Sequence, residues 1–385
     1  MAEDGRRSSQ NRRMIAEAFA ENFGSRGELG AAVAIWRDDG EVVSLAGGPV
    51  SREAEAGRWT ADTLVPVWST TKGPAAATLL WVLDREKRSI DTRIREFWPA
   101  FPADLTVGQV MSHQAGLPAL DETVSVFDHA GVVAALERQT PAWVPGSAHG
   151  YHPRTFGFIL DECVRRLAGG TTLGAVWSAA IQGPLELDVW IGLPESEWVR
   201  VARVYPGRLQ PRPDEREFGV AFSTPGSLTR RSFSSPQGAN AIADFNAPEV
   251  LAAGFPAFGG VASARGLARF YGILARGGGG VFSERSLADM ERTLTGGTDE
   301  VLRMPTAFSA GFQKDPTDAT GEKIRAHYGL SLRAFGHPGA GGSLAFASPD
   351  KRAGFAYVMN LIEPGVMPNA RALSLVDAAV AAGML

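Results

Sequence analysis

Residues 62–87, DTLVPVWSTTKGPAAATLLWVLDREK, constrain the fold more than any other stretch of this chain. An extended run leads into the tetrapeptide STTK at 69–72, and a long apolar run that ends in charged residues follows it. Apolar and small residues recur at helical spacing between positions 75 and 83, which predicts a mostly buried helix. Pro74 fits only the first turn of such a helix, because the missing N–H has no intrahelical partner there. Ser69 is therefore expected at or just before the start of a buried helix.

Ser69 and Lys72 are three residues apart, so their side chains are expected on one face of the chain, one turn apart. The hydroxyl would lie near the positive end of the helix dipole, and the amine could accept a proton if burial lowers its pKa. The pair is therefore a candidate for nucleophilic catalysis. Ser-x-x-Lys is a weak pattern by itself, and a second copy, SPDK at 348–351, is interpreted as a polar turn between two strands.

Length and composition indicate a globular protein without an obvious nucleic-acid surface. The chain has 385 residues, of which 44% are hydrophobic and 21% are charged, which predicts two or three domains or one large domain with an insertion. A net charge of −4 and the lack of a basic stripe argue against a nucleic-acid partner. The single cysteine, Cys163, excludes an internal disulfide and is interpreted as a small packed residue. No Cys/His cluster has zinc spacing, so neither a metal nor a cofactor is expected.

The N-terminal sequence, MAEDGRRSSQNRRM, is charged and lacks the apolar core of a secretory signal. No segment reaches the roughly 18 uninterrupted apolar residues of a membrane helix. These two features predict a cytoplasmic protein that does not act on membranes.

Patterns along the chain predict sheet-forming ends around a helical middle. The predicted helices and strands fall at 10–23 (helix), 30–37 and 41–46 (a hairpin), 129–139, 154–168 and 172–182 (helices), 263–276, 283–293 and 368–382 (helices), and 308–314, 324–334, 343–348 and 353–360 (strands). A Pro-, Gly- and Ser-rich segment at about 205–257 is expected to be a long loop that either forms a wall or lid of a site or is mobile. The fold class is therefore predicted as α/β (α+β), an antiparallel sheet flanked by helices with an inserted all-helical domain. The sheet domain would comprise 1–88 plus 255–385, and the insertion 89–254.

Two further segments could complete a site. Tyr151 follows a loop with turn chemistry and precedes a predicted helix, so its phenol could point at a site or pack at the start of that helix. The sequence HPGAGGS at 337–343 lies between two strand patterns, and its glycines would let a substrate approach the backbone closely. A free N–H there could form half of an oxyanion hole, with the Ser69 N–H as the other half. The alternative is an ordinary glycine-rich hairpin.

The order and spacing of these segments resemble those of the serine β-lactamase and penicillin-binding-protein superfamily. Its Ser-x-x-Lys, Tyr-x-Asn and Lys-Thr-Gly patterns correspond to STTK at 69–72, YHP at 151–153 and HPG at 337–339, and SHQAGLP at 112–118 is also similar to the family. The resemblance spans about 10–380 and is strongest to the family VIII carboxylesterases, esterases similar to class C β-lactamases. It implies a β-lactamase/transpeptidase-like fold.

The same resemblance implies roles for individual residues. Ser69 would be the nucleophile that accepts the acyl group, and Lys72 and Tyr151 would share the general-base and general-acid work. The N–H groups of Ser69 and Ala340 would bind the oxyanion, and His337, Gly339 and Ala340 would form the substrate-binding strand. The sequence leaves open which of Lys72 and Tyr151 removes the serine proton, and the identity of the acylation base is likewise disputed for related enzymes.

Two departures from the family pattern affect the predicted substrate. Pro153 stands where β-lactamases have an amide side chain that binds the lactam, and His337 replaces the lysine that helps hold the lactam carboxylate. A histidine with an ordinary pKa is mostly neutral at pH 7, so it would hold a carboxylate weakly. The sequence therefore favours a serine carboxylesterase acting on small-molecule esters of small or medium acyl chains.

Several alternatives share the same residues. An acyltransferase would use the same acyl-enzyme, a weak β-lactamase or peptidase would use the same fold, and a non-catalytic binding protein would keep the scaffold alone. An α/β-hydrolase is disfavoured because the chain contains no G-x-S-x-G sequence. The natural acyl group, the acceptor, the stereoselectivity and the oligomeric state stay open.

Overall fold

A computed structural model describes residues 2–208 and 212–385 of the chain. Met1, in the first part of the predicted sheet domain, and residues 209–211, in the predicted long loop, lie outside the described residues.

The strands are numbered here in chain order: β1 (Ala31–Arg37), β2 (Gly40–Gly47), β3 (Val65–Pro66), β4 (Val189–Trp190), β5 (Tyr205–Pro206), β6 (Val261–Ala262), β7 (Thr295–Thr298), β8 (Pro305–Phe308), β9 (Gln313–Lys314), β10 (Phe335–Pro338), β11 (Leu344–Ser348), β12 (Ala353–Met359) and β13 (Leu361–Ile362). Eight of them form one antiparallel sheet in the order β2-β1-β12-β11-β10-β9-β8-β7. All strands of this sheet come from residues 31–47 or 295–359. The predicted antiparallel sheet is confirmed, whereas the division into domains at 88/89 and 254/255 stays a prediction.

The α-helices are α1 (Ala2–Gly24), α2 (Lys72–Arg85), α3 (Val107–Met111), α4 (His129–Arg138), α5 (Thr155–Leu167), α6 (Leu173–Trp177), α7 (Arg216–Ser223), α8 (Leu228–Ser234), α9 (Pro248–Ala253), α10 (Ala264–Ala275), α11 (Glu284–Glu291) and α12 (Ala370–Ala381). Helix α10 packs across β1 and β12, and α1 packs against α12. The helices therefore flank the sheet, as the predicted fold class requires.

Close contact between α10 and the sheet depends on glycine. A Cβ atom at Gly354 in β12 would lie 2.1 Å from the backbone nitrogen of Gly272 in α10, closer than any real Cβ contact. The helix begins at a serine cap, since the Ser263 hydroxyl accepts a hydrogen bond from the Gly266 N–H at 3.0 Å. Such a cap stabilises a helix by about 1 kcal/mol.

Helix α2 connects the sheet with the helical middle of the chain. Every residue of α2 from Lys72 to Leu83 is buried except Trp81, and the helix packs against α5 and α6 as well as against β10. Pro74 lies in its first turn, as the sequence predicts. The N-terminal residues of α2 are therefore held between the sheet and the helical middle of the chain.

The strand predicted at 324–334 is wrong, because these residues form turns. The buried carboxylate of Asp315 accepts hydrogen bonds from the N–H groups of His327 and Tyr328, and the Lys323 amine donates to the Gly329 carbonyl. The Asp315 and Lys323 side chains thus satisfy backbone N–H and carbonyl groups that, in a strand, would hydrogen-bond to an adjacent strand.

The segment predicted as a long irregular loop at 205–257 contains three short helices, α7, α8 and α9. Its polar and proline residues begin helices instead of preventing them. The Ser227 hydroxyl caps α8 by accepting from the Arg230 N–H, and Pro248 occupies the first position of α9.

Candidate active site

Ser69 lies in a 3₁₀ turn, Trp68–Thr71, that runs directly into α2. This turn is fixed from outside the helix: the Val67 N–H donates to the Gly260 carbonyl, and the Gly260 N–H donates to the Thr71 hydroxyl, both at 2.9 Å. Trp68 adopts a φ of 47°, a strained value for a bulky residue, and its ring packs 4.7 Å from that of Phe245. The predicted position of Ser69 just before the helix is confirmed.

The Lys72 amine lies 3.3 Å from the Ser69 hydroxyl oxygen and is fully buried. Its Nζ also lies 2.8 Å from the Pro153 carbonyl oxygen and 2.9 Å from that of Ala257. Burial holds the pKa of this amine well below its ordinary value. A neutral amine has two N–H groups and one lone pair. With both N–H groups donated to the two carbonyls, the lone pair is left for the proton of Ser69.

Tyr151 and Ser69 line the same cleft. The Tyr151 phenol is buried, and its hydroxyl has no hydrogen-bond partner of normal geometry among the described residues. Burial raises the pKa of the phenol far above its usual value, while the nearby Ser69 hydroxyl acts in the opposite direction. The Lys72 amine lies 4.7 Å from the centre of the Tyr151 ring. Tyr151 is therefore a protonated phenol beside the candidate nucleophile.

His337 is the third residue of β10, so the prediction that it lies between strands is wrong. The strand continues through it because His337 pairs with Ala345 of β11. Its ring Nδ1 lies 2.7 Å from the Pro338 carbonyl oxygen and must carry the proton, which leaves Nε2 as an acceptor. Burial lowers the pKa of His337 to about 3, so the ring is neutral.

Ala340 lines the cleft, whereas Gly339 lies behind it. The Gly339 N–H donates to the Ser343 carbonyl at 2.7 Å, and a Cβ on Gly339 would lie 2.3 Å from the Val67 carbonyl oxygen. Gly339 thus lets the β10–β11 turn approach the turn that carries Ser69. Within residues 2–208 and 212–385, the N–H groups of Ser69 and Ala340 donate to no protein acceptor.

Two further histidines lie behind Tyr151. The His113 ring is 5.1 Å from the Tyr151 ring, and the His152 N–H donates to His113 Nδ1 at 3.2 Å. Burial lowers the pKa of His152 to about 3 and that of His113 well below its usual value. The histidines around the cleft are therefore neutral and act as rigid, uncharged support.

The sequence motifs missed the residues that form the remaining walls of the cleft. These walls are mostly apolar and come from segments far apart in the chain: Phe233, Leu302, Gln313, Val366 and Met367. The free space between them is only about 20 Å³, enough for about one water molecule. No local pattern marks these residues, because only the tertiary fold brings them together.

A larger groove of about 520 Å³ lies elsewhere, between α5, α6 and α9. Although this groove is larger, none of its lining residues is a serine, cysteine or lysine. It therefore offers no counterpart of the Ser69–Lys72 pair. In the part of the chain that the structure describes, no group of three or more His, Cys, Asp or Glu residues could hold a metal ion. No described helix is both long enough and apolar enough to cross a membrane.

Comparison with known proteins supports the fold. The model of the family described as Beta-lactamase matches residues 14–379. The Esterase/beta-lactamase LipL of Mycobacterium tuberculosis is 32% identical over 381 residues, covering 92% of this chain and 82% of LipL. A penicillin-binding protein homologue from Caulobacter crescentus is 34% identical and a family VIII carboxylesterase 33% identical; each has a TM-score of 0.83, with 97% of both chains covered.

Proposed function

This chain belongs to the beta-lactamase family of serine hydrolases, and from that premise we propose that it is a carboxylesterase. It would cleave neutral esters of small or medium acyl chains through an acyl-enzyme on Ser69. The observation that carries this proposal is the buried Lys72 amine, 3.3 Å from the Ser69 hydroxyl oxygen and with two carbonyls for its N–H groups.

In the proposed acylation step, the Ser69 oxygen attacks the ester carbonyl carbon while its proton passes to the Lys72 amine. The carbonyl oxygen becomes an oxyanion that the N–H groups of Ser69 and Ala340 stabilise. Tyr151 then donates its phenolic proton to the leaving alkoxide as the carbon–oxygen bond breaks, and the ammonium of Lys72 returns a proton to Tyr151. The free N–H groups, the low amine pKa and the protonated phenol support this division of roles.

Deacylation would reverse the order of events with water in place of serine. Water attacks the acyl carbon and gives up a proton to the Tyr151–Lys72 pair, and the Ser69 oxygen takes a proton back as it leaves. The products are a carboxylic acid and a regenerated Ser69 hydroxyl, so all atoms are accounted for without a cofactor.

The chemistry of the cleft supports a neutral ester as substrate. Phe233, Leu302, Val366 and Met367 offer apolar walls for an acyl chain. His337 is neutral, and Pro153 has no side-chain amide. A substrate carboxylate would lose its hydration in this cleft without gaining a charged partner from His337, which is costly. An uncharged ester does not face this penalty.

Short acyl esters are therefore expected to react far faster than penicillins or cephalosporins. The comparison is between the kcat/KM of p-nitrophenyl butyrate and that of nitrocefin with the same enzyme preparation. A nitrocefin value equal to the butyrate value would contradict the proposed substrate class.

The rate should also depend on pH in a defined direction. Only the neutral Lys72 amine can take the serine proton, so kcat/KM should rise with pH as the amine loses its own proton. Because burial lowers the pKa of Lys72, this rise should occur well below the ordinary lysine pKa of about 10.4. The pH profile of butyrate hydrolysis measures it.

His337→Ala is the control for this profile, because the pKa of His337, about 3, lies outside the working range. The rise in kcat/KM should persist in that variant. If it disappears, the histidine and not the lysine sets the pH dependence.

Weak β-lactam hydrolysis is the second candidate function, favoured by the name Esterase/beta-lactamase of the relative LipL. The nitrocefin assay measures it directly. Transfer of the acyl group to an alcohol would use the same acyl-enzyme, and analysis of products formed in the presence of a primary alcohol would detect it.

A further inference from the structure

The turn between β7 and β8 carries a buried carboxylate that has no role in the mechanism above. Asp299 is fully buried, and among the described residues it has no lysine or arginine partner. A buried carboxylate without a cation is costly unless several donors satisfy it. The identity of those donors indicates what Asp299 does.

The backbone N–H of Tyr151 donates to both carboxylate oxygens of Asp299, at 3.0 Å to Oδ1 and 3.1 Å to Oδ2. Oδ1 also accepts from the N–H groups of Val301 and Leu302, each at 2.8 Å, and Oδ2 accepts from the Thr306 hydroxyl at 3.1 Å. One side chain therefore ties the Tyr151 loop to the β7–β8 turn. Leu302, which it also fixes, is a wall of the cleft.

Neighbouring contacts strengthen the same link. The Glu300 N–H donates to the His149 carbonyl at 3.0 Å, and His149 Nε2 lies 2.9 Å from the Thr306 hydroxyl. The ring of Tyr151 stacks on Phe308 of β8, with ring centres 6.2 Å apart and planes inclined by 9°. By contrast, the Tyr151 hydroxyl has no partner of normal geometry among the described residues, so the backbone and the ring must hold it.

We propose that Asp299 is a positioning residue for Tyr151: its carboxylate fixes the Tyr151 backbone and so places the phenol beside Ser69. This inference rests on the proposed role of Tyr151 in proton transfer. Asp299 itself does not line the cleft, so it acts only through the residues that it holds.

Asp299→Asn tests the inference, because it keeps the size of the side chain but removes one acceptor oxygen and the charge. Displacement of a reacting group by about 1 Å can cost about 10²-fold in rate. We expect kcat for ethyl butyrate, whose alkoxide needs a proton to leave, to fall by about 10- to 100-fold with little change in KM. Asp161→Asn is the matched control: Asp161 is also buried and accepts a backbone N–H, that of Leu173, but lies outside the cleft.

A double-mutant cycle separates positioning from a general structural effect. If Asp299 acts through the Tyr151 hydroxyl, Asp299→Asn should lower kcat strongly in the wild type but hardly further in Tyr151→Phe. An equal fall in both backgrounds would overturn the inference, as would unchanged kcat in the single variant. A fully active Tyr151→Phe enzyme would instead refute the proposed role of Tyr151, and the inference with it.

If Asp299→Asn fails to fold, its loss of activity does not test the positioning of Tyr151. Circular dichroism and thermal unfolding identify that case, and Thr306→Val then takes the place of Asp299→Asn in the same cycle. Valine keeps the shape of threonine but removes the donor that orients Oδ2 of Asp299. A kcat loss that depends on the Tyr151 hydroxyl supports the inference, and a loss that does not depend on it overturns it.

Discussion

Ser69→Ala is expected to abolish ester hydrolysis and covalent labelling by a phosphonate or a sulfonyl fluoride. In the proposed mechanism the Ser69 oxygen forms the bond to the acyl carbon, and a methyl group cannot replace it. Loss of a serine nucleophile can cost about 10⁶-fold in kcat. The measurement is p-nitrophenyl butyrate hydrolysis by the variant beside the wild type, with labelling followed by mass spectrometry.

The chain offers a matched control in its second Ser-x-x-Lys sequence, at 348–351. Ser348 is the last residue of β11 and Lys351 lies in a short 3₁₀ turn, as the prediction of a polar turn between strands requires. No hydrogen bond joins the Ser348 and Lys351 side chains in the described part of the chain, so Ser348→Ala should keep its activity. Labelling that persists in Ser69→Ala, at Ser348 or any other serine, would contradict the assignment.

Tyr151→Phe should lower kcat by at least about 10²-fold, the lower bound of what general acid–base groups usually contribute. Phenylalanine keeps the ring that packs on Phe308 but removes the proton that the leaving group needs. His337→Ala should be milder, roughly tenfold, and should act on KM as much as on kcat, because the proposed role of His337 is to orient the substrate. Steady-state kinetics of both variants at one pH make the comparison, with ethyl butyrate as substrate because its alkoxide, unlike p-nitrophenolate, needs a proton to leave.

The opposite result would be informative. If His337→Ala were inactive and Tyr151→Phe nearly wild type, histidine would be the working base and the proposed roles would be exchanged. Circular dichroism of both variants is required, since a misfolded Tyr151→Phe would imitate the predicted loss.

Local sequence was sufficient to predict the elements whose signals are local. The buried helix that begins at Lys72 follows from its apolar spacing and from Pro74, and the β1–β2 hairpin follows from alternation around a turn. The proximity of the Ser69 and Lys72 side chains, with 3.3 Å between the hydroxyl oxygen and Nζ, follows from their three-residue spacing, because both belong to one turn of the chain.

Elements that depend on distant side chains could not be predicted in this way. The strand expected at 324–334 is replaced by turns because Asp315 satisfies their backbone N–H groups. The helices within 205–257 were missed because their proline and serine residues act as helix starts, which composition alone reads as loop.

The same distinction, between local sequence signals and contacts of distant segments, applies to the candidate site. Its reacting groups stand in recognisable motifs, whereas its walls and supports do not. Leu302 and Met367 reach the cleft only through the tertiary fold, and Asp299 contacts a residue 148 positions away in the chain. No periodicity or spacing can report a contact between such distant segments.

The most direct test of the central claim is to trap the acyl-enzyme. The protein is mixed with p-nitrophenyl butyrate, quenched in acid within one turnover and digested, and the modified peptide is sequenced by tandem mass spectrometry. The account predicts one butyryl group on Ser69 of the wild type and none on Ser69→Ala. It also predicts that more of the butyryl-enzyme accumulates when its hydrolysis is slowed. A butyryl group on another residue, or ester turnover by Ser69→Ala at the wild-type rate, would contradict it.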